Sequence, residues 1–415
     1  MSEWTETILA DACERIDYGY TASATDAPTG PRFLRITDIV SGHLDWDAVP
    51  YCEIDESDIP KYRLEDGDIV VARTGASTGC SMHIASPPEA VFASYLVRLR
   101  VKDGLDARFV SYCLKTREFK HFITAASSGK SAQPNASAKT ITQAVIGVPP
   151  LLHQQRIAHI LGTLDDKIEL NRRMNRTLEA IARAIFRSWF IDFDPVHAKA
   201  EGREPIGMDP ETAALFPGSF QDSPLGRIPD GWNVGCLGDV ASRRQQTIKP
   251  EEMEDGTPYV ALDDVPRRSI SLHHWKAAED IASAKSRFQK GDVLFGKLRP
   301  YFHKVVVAPV DGICSTDIIV VSAKDEELSA FVLMTCSSAD FVAHNTAVMT
   351  GTKMPRTNWK DMSSYKLVIP TDEVVAAYKA ATKALINQLV GCIKQSPCLA
   401  GVRDMLLPRL IAGEV

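Results

Sequence analysis

The sequence predicts a mixed α/β (α+β) protein: two similar globular domains separated by a pair of long antiparallel α-helices forming a coiled coil. Three observations predict it. The chain repeats itself, each copy ends at a proline turn, and each turn leads into a long segment with heptad spacing. Trp4-x4-Leu9-x-Asp11 returns as Trp232-x4-Leu237-x-Asp239, and Phe33-Leu34-x-Ile36-x-Asp38-Ile39 returns as Tyr259-Val260-x-Leu262-x-Asp264-Val265. Gly67-Asp68-Ile69-Val70 returns as Gly291-Asp292-Val293-Leu294, and Ser128-Gly129-x2-Ala132 is echoed by Thr350-Gly351-x2-Met354. The offsets run 228, 226, 224 and 222, a steady drift that chance matches would not keep. A repeat this long is a duplicated domain, not a solenoid unit.

Taken in order, the first copy occupies residues 1–150 and ends at Val148-Pro149-Pro150. A spacer helix follows over 151–195. From Leu151 to Phe190 there is no proline and one glycine, Gly162. Steps of four and three residues give Ile157, Leu161, Leu164, Ile168, Asn171, Asn175, Leu178, Ala182, Ile185 and Trp189, a heptad seam. Asn171 and Asn175 on that seam fix register at a cost in stability. The other face carries Arg156, Asp166, Lys167, Glu169, Arg172, Arg173, Arg176, Glu179 and Arg183, read as solvated. Asp194-Pro195 is expected to stop the helix, because proline lacks the amide donor.

The second copy occupies 196–370, opened by a proline-rich connector over 196–230 that Leu215, Phe216 and Ile228 would anchor. A second spacer helix is expected over 371–415, with a weaker seam of Val375, Tyr378, Thr382, Leu385, Leu389 and Cys392. Pro397 predicts a kink or break near Gln395. Two such helices are natural mates, and 35–40 residues at 1.5 Å each make rods of about 50–60 Å. Within the copies, Asp68–Ala72, Tyr95–Leu99, Asp292–Phe295 and Ile318–Val321 read as strands, and Phe109–Thr116 and Phe331–Thr335 as helices.

Composition bounds the function. A chain of 415 residues with 45% hydrophobic and 24% charged residues is ordinary for a two- or three-domain globular protein. No apolar run reaches about 18 residues, so no membrane span is expected. The acidic start lacks a signal pattern, and nine scattered cysteines without a C-x-x-C pair indicate a reducing cytoplasm. Net charge is −6, yet residues 1–68 carry 5 basic and 16 acidic groups whereas 69–150 carry 10 and 4. Residues 285–304 hold six basic groups against one acid. Each copy therefore has a basic part on which a polyanion could dock.

Two loop pairs are the candidate contacts. Arg73-Thr74-Gly75-Ala76-Ser77 follows a strand in the first copy, and Lys297-Leu298-Arg299-Pro300-Tyr301 follows its counterpart. Arginine and lysine bind guanine or phosphate, and hydroxyls reach either. The segment 124–131 lacks the first glycine of a P-loop and runs into Gln133-Pro134-Asn135, so it reads as a basic loop rather than a nucleotide site. Its echo, Thr350-Gly351-Thr352-Lys353-Met354-Pro355-Arg356, keeps the glycine, lysine and proline. Asp106 with Glu118 and Lys120 imitates a nuclease set, but the second copy does not preserve it. His273-His274 lacks a third metal ligand at helical spacing.

At the central helix the reading becomes a resemblance. Pro149-Pro150-Leu151, Gln154-Gln155-Arg156-Ile157-Ala158, Leu164-Asp165-Asp166-Lys167-Ile168-Glu169-Leu170-Asn171-Arg172, and Phe186-x-Ser188-Trp189-Phe190-x-Asp192-Phe193-Asp194-Pro195 closely resemble the central region of specificity subunits of type I restriction-modification systems. Arg403-Asp404-x-Leu406-Leu407-Pro408-Arg409-Leu410 is similar to that family's tail. The resemblance implies two target-recognition domains, each reading half of a split site on double-stranded DNA, with a helical spacer setting the unspecified bases between. It implies two modification subunits, which bind S-adenosylmethionine and methylate adenine, and two restriction subunits, which use ATP and Mg2+. The specificity subunit itself binds no cofactor or metal and catalyses nothing. The residues expected on DNA are Arg73, Thr74, Ser77, Lys130, Gln133 and Asn135 in the first domain, and Lys297, Arg299, Tyr301, Lys353 and Arg356 in the second. Arg172, Arg176, Trp189 and Phe190 are expected to hold a partner subunit. The competing readings are a coiled-coil adaptor without DNA specificity, which would show no salt-dependent retention on duplex DNA, and a nuclease, which would cut alone with metal.

Overall fold

The structure is a computed structural model that describes residues 4–127, 134–279, 281–351 and 354–414. The chain divides into two compact units, residues 1–169 with 399–415, and residues 170–398.

In the first unit a four-stranded antiparallel sheet has the order Cys13–Tyr18, Leu96–Val101, Ile69–Ala72, Ser81–His83. Ile69–Ala72 is buried at every position, which is why it reads as a continuous apolar run rather than an alternating one. A short parallel pair joins Arg32–Leu34 to Ala90–Phe92. Thr5–Ile8 pairs with Val145–Val148, so the domain's first and last strands close on each other. Helices Ala107–Cys113 and Arg117–Ser127 follow the sheet.

The second unit repeats this plan. Its four-stranded sheet runs Ala241–Arg243, Ile318–Ala323, Val293–Gly296, Val305–Val307, in the same order of equivalents. The parallel pair recurs as Pro258–Val260 with Gly312–Cys314, and the closing pair as Asn233–Cys236 with Lys366–Ile369. Helix Ser329–Cys336 matches Ala107–Cys113.

The repeated Gly-Asp pairs explain themselves here. Asp68 caps a turn by accepting from the Glu65 amide at 2.8 Å, and Arg100 donates to both its oxygens at 2.8 and 3.0 Å. Asp292 accepts from the Gln289 amide at 2.7 Å, and Arg244 donates to both oxygens at 2.7 and 3.1 Å. The carboxylate is buried in both copies. A buried carboxylate needs donors on its lone pairs, and in both copies an arginine supplies them, Arg100 from strand Leu96–Val101 and Arg244 from just beyond Ala241–Arg243.

Two helices of forty residues, Leu151–Phe190 and Asp372–Ile411, each contribute one end to each unit. In the first unit, Ile157 and Leu161 share a core with Leu407 and Leu410. In the second, Asn171 faces Gln395 and Ser396, Met174 faces Cys392, and the Tyr378 hydroxyl donates to the Ala182 carbonyl. In the second unit partner numbers fall as helix numbers rise, so the two helices run antiparallel where they meet there. Asn171 and Asn175 are both buried on the seam. The Asn171 amide finds Gln395 at 2.9 Å, whereas neither polar atom of Asn175 has a protein partner among the described residues.

Four expectations are corrected. The C-terminal helix does not break: helical geometry persists from Asp372 through Pro397 to Ile411. Proline there forfeits one backbone bond, and packing against the central helix outweighs that loss. Asp194-Pro195 begins a helix, Asp194–Ala200, rather than merely ending one: the long helix has already stopped at Phe190, and proline suits a first turn. Glu179 is not on a solvated face. It is buried, bound to Arg183 at 2.7 Å and accepting from Ser269 Oγ and the Ile270 amide at 3.0 Å each. In the connector, Phe216 and Ile228 are buried anchors but Leu215 remains 39% exposed. All nine cysteines are free thiols.

Candidate nucleic-acid interface

In each domain the segment leaving the sheet is tied by main-chain bonds to a second segment far along the chain. In the first, the Ala136 amide donates to the Arg73 carbonyl at 2.9 Å and the Gly75 amide to the Pro134 carbonyl at 2.9 Å, with Thr74 bridged to Asn135. In the second, the Thr357 amide donates to the Lys297 carbonyl at 3.0 Å and the Arg299 amide to the Pro355 carbonyl at 2.8 Å, with Leu298 bridged to Arg356. These bonds are equivalent one for one. They match Arg73 with Lys297, Gly75 with Arg299, Pro134 with Pro355 and Asn135 with Arg356, so the loop pairs that the repeat sets side by side occupy corresponding positions. Ser77 is the last residue of the short turn Gly75–Ser77, and Tyr301 the middle residue of the turn Pro300–Phe302.

The side chains differ where the frame agrees. The Arg73 guanidinium lies over the Tyr18 ring at 4.8 Å and reaches Asn135 Oδ1 at a long 3.4 Å. It is half-buried with donors to spare, while Asn135 is exposed. Thr74 and Ser77 are half-buried beside it. In the second domain Arg356 pairs with Asp317 at 3.4 Å, and Asp317 also accepts the Lys297 amide through its carbonyl at 2.9 Å. Arg299 is exposed and adopts left-handed backbone at φ 50°, where the first domain has Gly75 at φ 75°. That conformation costs a side-chain-bearing residue roughly 1–2 kcal/mol. Tyr301 is 45% exposed and meets Phe302 edge-on at 4.9 Å. Arg267, which sequence reading missed, lies over Phe302 at 4.0 Å. Lys130, Gln133 and Lys353 lie outside the described residues.

The partner-binding expectation is corrected in half. Trp189 and Phe190 are buried at 7% and 4% exposure, packed against Phe216, Trp232, Phe331 and Tyr378. They are core, since an aromatic seam at a helix end buries most area when a sheet domain covers it. Arg176 is exposed and Arg172 half-buried. The nuclease-like set dissolves: Asp106 Oδ1 accepts the Phe109 amide at 2.8 Å as a helix N-cap. Among the described residues no group of three His, Cys, Asp or Glu could hold a metal ion. Of the P-loop-like segment, Thr124–Ser127 completes helix Arg117–Ser127 and the rest lies outside the described residues.

Two copies of one α/β fold each display a cation-bearing loop pair on a common frame, an arrangement suited to a polyanion. Comparison with known proteins makes this specific. The family model described as type I restriction modification DNA specificity domain matches residues 3–180 and 229–377, well over half of the chain, and the chain belongs to that family. It is therefore a DNA-recognising, non-catalytic specificity component. It is 23% identical to the type I restriction enzyme HindI specificity subunit of Haemophilus influenzae, over 100% of both chains. It is 24% identical to the MjaIX specificity subunit of Methanocaldococcus jannaschii, over 76% of this chain and 70% of that one. The crystal structure of a type I system S subunit from M. genitalium shares the fold, with a TM-score of 0.56 at 16% identity, covering 99% of this chain and 96% of that one.

Proposed function

We propose that this chain reads a split target on double-stranded DNA for a type I restriction-modification complex, one half-site per domain. Adenine methylation and restriction are the work of partner subunits. The observation that carries this reading is the shared loop frame with unlike side chains: one scaffold, held by the same main-chain bonds, presents Arg73, Thr74, Ser77 and Asn135 in one domain and Lys297, Arg299, Tyr301 and Arg356 in the other. Phosphate contacts supply salt-dependent affinity. Each good bidentate base contact adds about 1–3 kcal/mol of discrimination.

Two modification subunits carrying S-adenosylmethionine and two restriction subunits using ATP and Mg2+ complete the complex, and this chain binds none of those cofactors. Its place of action is the cytoplasm. Among the described residues no helix is long and apolar enough to cross a membrane. The test is a long-read map of adenine methylation in the host with and without the gene. Loss of one split motif, methylated in both halves, is the expected result. A methylome that stays unchanged in a host whose modification subunit is expressed would sink the proposal.

A further inference from the structure

The described part of the chain has five residues other than glycine in left-handed backbone, and three of them cluster around the second domain's loop: Arg268 at φ 57°, Arg299 at φ 50° and His303 at φ 52°. Arg299 and His303 each have a left-handed glycine at the equivalent place in the first domain's frame, and Arg268 has one at the matching sequence count. Gly75 matches Arg299 through the bonds described above. The Ala72 amide donates to Cys80 and the Gly296 amide to Lys304, each at 2.8 Å, which sets Gly79 at φ 89° opposite His303. By sequence count Gly42, at φ 70°, stands four residues beyond the turn-capping Asp38, as Arg268 stands four beyond Asp264, although the chain between is helical at Ile39 and extended at Val265. The second domain places two arginines and a histidine on backbone suited to glycine.

A side chain held against its backbone preference signals a use for it. His303 has one inside the protein: it is buried, and its Nε2 bonds the Ser337 carbonyl at 2.9 Å. Arg268 and Arg299 have none of that kind. Both are exposed and form no ion pair among the described residues. The Arg268 amide donates to the His303 carbonyl at 2.8 Å, which ties the two strained turns together. Beside these turns lies Phe302, with Arg267, the neighbour of Arg268, 4.0 Å from its ring centre, Arg299 at 5.9 Å and Tyr301 edge-on. Guanidiniums grouped round an aromatic face match a sugar-phosphate backbone: forks for phosphate oxygens, a ring edge for sugar.

We propose that Arg268 and Arg299 grip the DNA backbone at the second half-site, and that the first domain lacks this grip because glycine occupies both positions. The inference rests on the DNA-reading function above. It is tested with the full-length chain in its complex, binding mixed-sequence duplex DNA over a range of salt. Arg268→Gly and Arg299→Gly should each reduce the slope of log affinity against log salt by about 0.9. Together they should weaken binding about a hundredfold, as expected for two lost charge-assisted bonds. The melting temperature should hold or rise, since glycine suits the backbone. The reverse variants, Gly42→Arg and Gly75→Arg, have open space at the new Cβ and should steepen the slope while lowering the melting temperature. An unchanged slope in the double glycine variant, or a weaker affinity accompanied by a fall in melting temperature, overturns the proposal. A wild-type complex that binds without salt dependence overturns the DNA-reading function and this inference with it.

Discussion

Asp165 on the central helix accepts from Arg403 Nη1 at 2.6 Å and from the Tyr112 hydroxyl at 2.7 Å, with Lys115 Nζ at 3.8 Å. Burial acts to raise its pKa, but Lys115, Arg403 and Tyr112 outweigh burial and hold the carboxyl below its ordinary 3.8. Burial also presses the Lys115 ammonium downward, so the shorter, hydrogen-bonded Arg403 is the firmer partner. A depressed carboxyl contributes stability that is complete above its unfolded pKa and is lost as pH falls through the folded one. Asp165→Asn should therefore cost about 1–3 kcal/mol near neutrality and flatten the loss of stability below pH 3.8. Urea titrations across that range decide it, and an acid limb identical to wild type would remove Asp165 from the account. At this scale sequence reading was uneven. Asp68 and Asp292 stood out because a buried carboxylate tolerates little substitution, and the repeat preserved them. Trp189 and Phe190 misled because an aromatic pair at a helix end looks alike whether a partner or the chain's own domain covers it. Glu179 misled for the same reason in reverse: helical periodicity places it opposite the seam, and nothing local reveals that the 269–270 turn lands on it.

Helices of forty residues were the most readable elements, because a seam sustained over many turns is hard to imitate. Their exception is instructive. Pro397 was expected to interrupt the second helix, yet the helix runs through it, with Ser396 Oγ donating to the Cys392 carbonyl at 2.9 Å on the turn before. The cost survives as a missing amide donor toward Ile393. Pro397→Ala should raise stability by about 1–3 kcal/mol in denaturant unfolding. A loss of stability instead would mean that the neighbouring seam has adapted to the proline. The loop pairs were half-readable. Their basic and hydroxyl side chains marked them, but the bond between position 73 and position 136 joins segments with no shared periodicity. Arg267 and Arg268 went unmarked, although setting Gly42 beside Arg268 in the repeat would have pointed to them.

For the whole molecule, an acidic total conceals basic stretches in both copies, and the duplication was visible before any element was assigned because its offset drifts in one direction. Under the proposed function the helix pair counts the unspecified bases between half-sites. Four residues inserted near Asn171 lengthen the helix by about 6 Å, close to two base-pair steps of about 3.4 Å. Methylome mapping of that variant should show a changed spacer and unchanged half-sites, and an altered half-site would defeat the counting role. The loop frame carries one more consequence. Thr74 with Asn135, and Leu298 with Arg356, are joined through peptide groups and not through side chains. Substitution at positions 73, 77, 297 or 301 therefore leaves the frame's own bonds intact. A lineage can explore new target sequences one residue at a time without first losing the fold. The architecture is thus suited to change in what it recognises, because the buried aspartates and helix seams that hold the fold lie outside those positions.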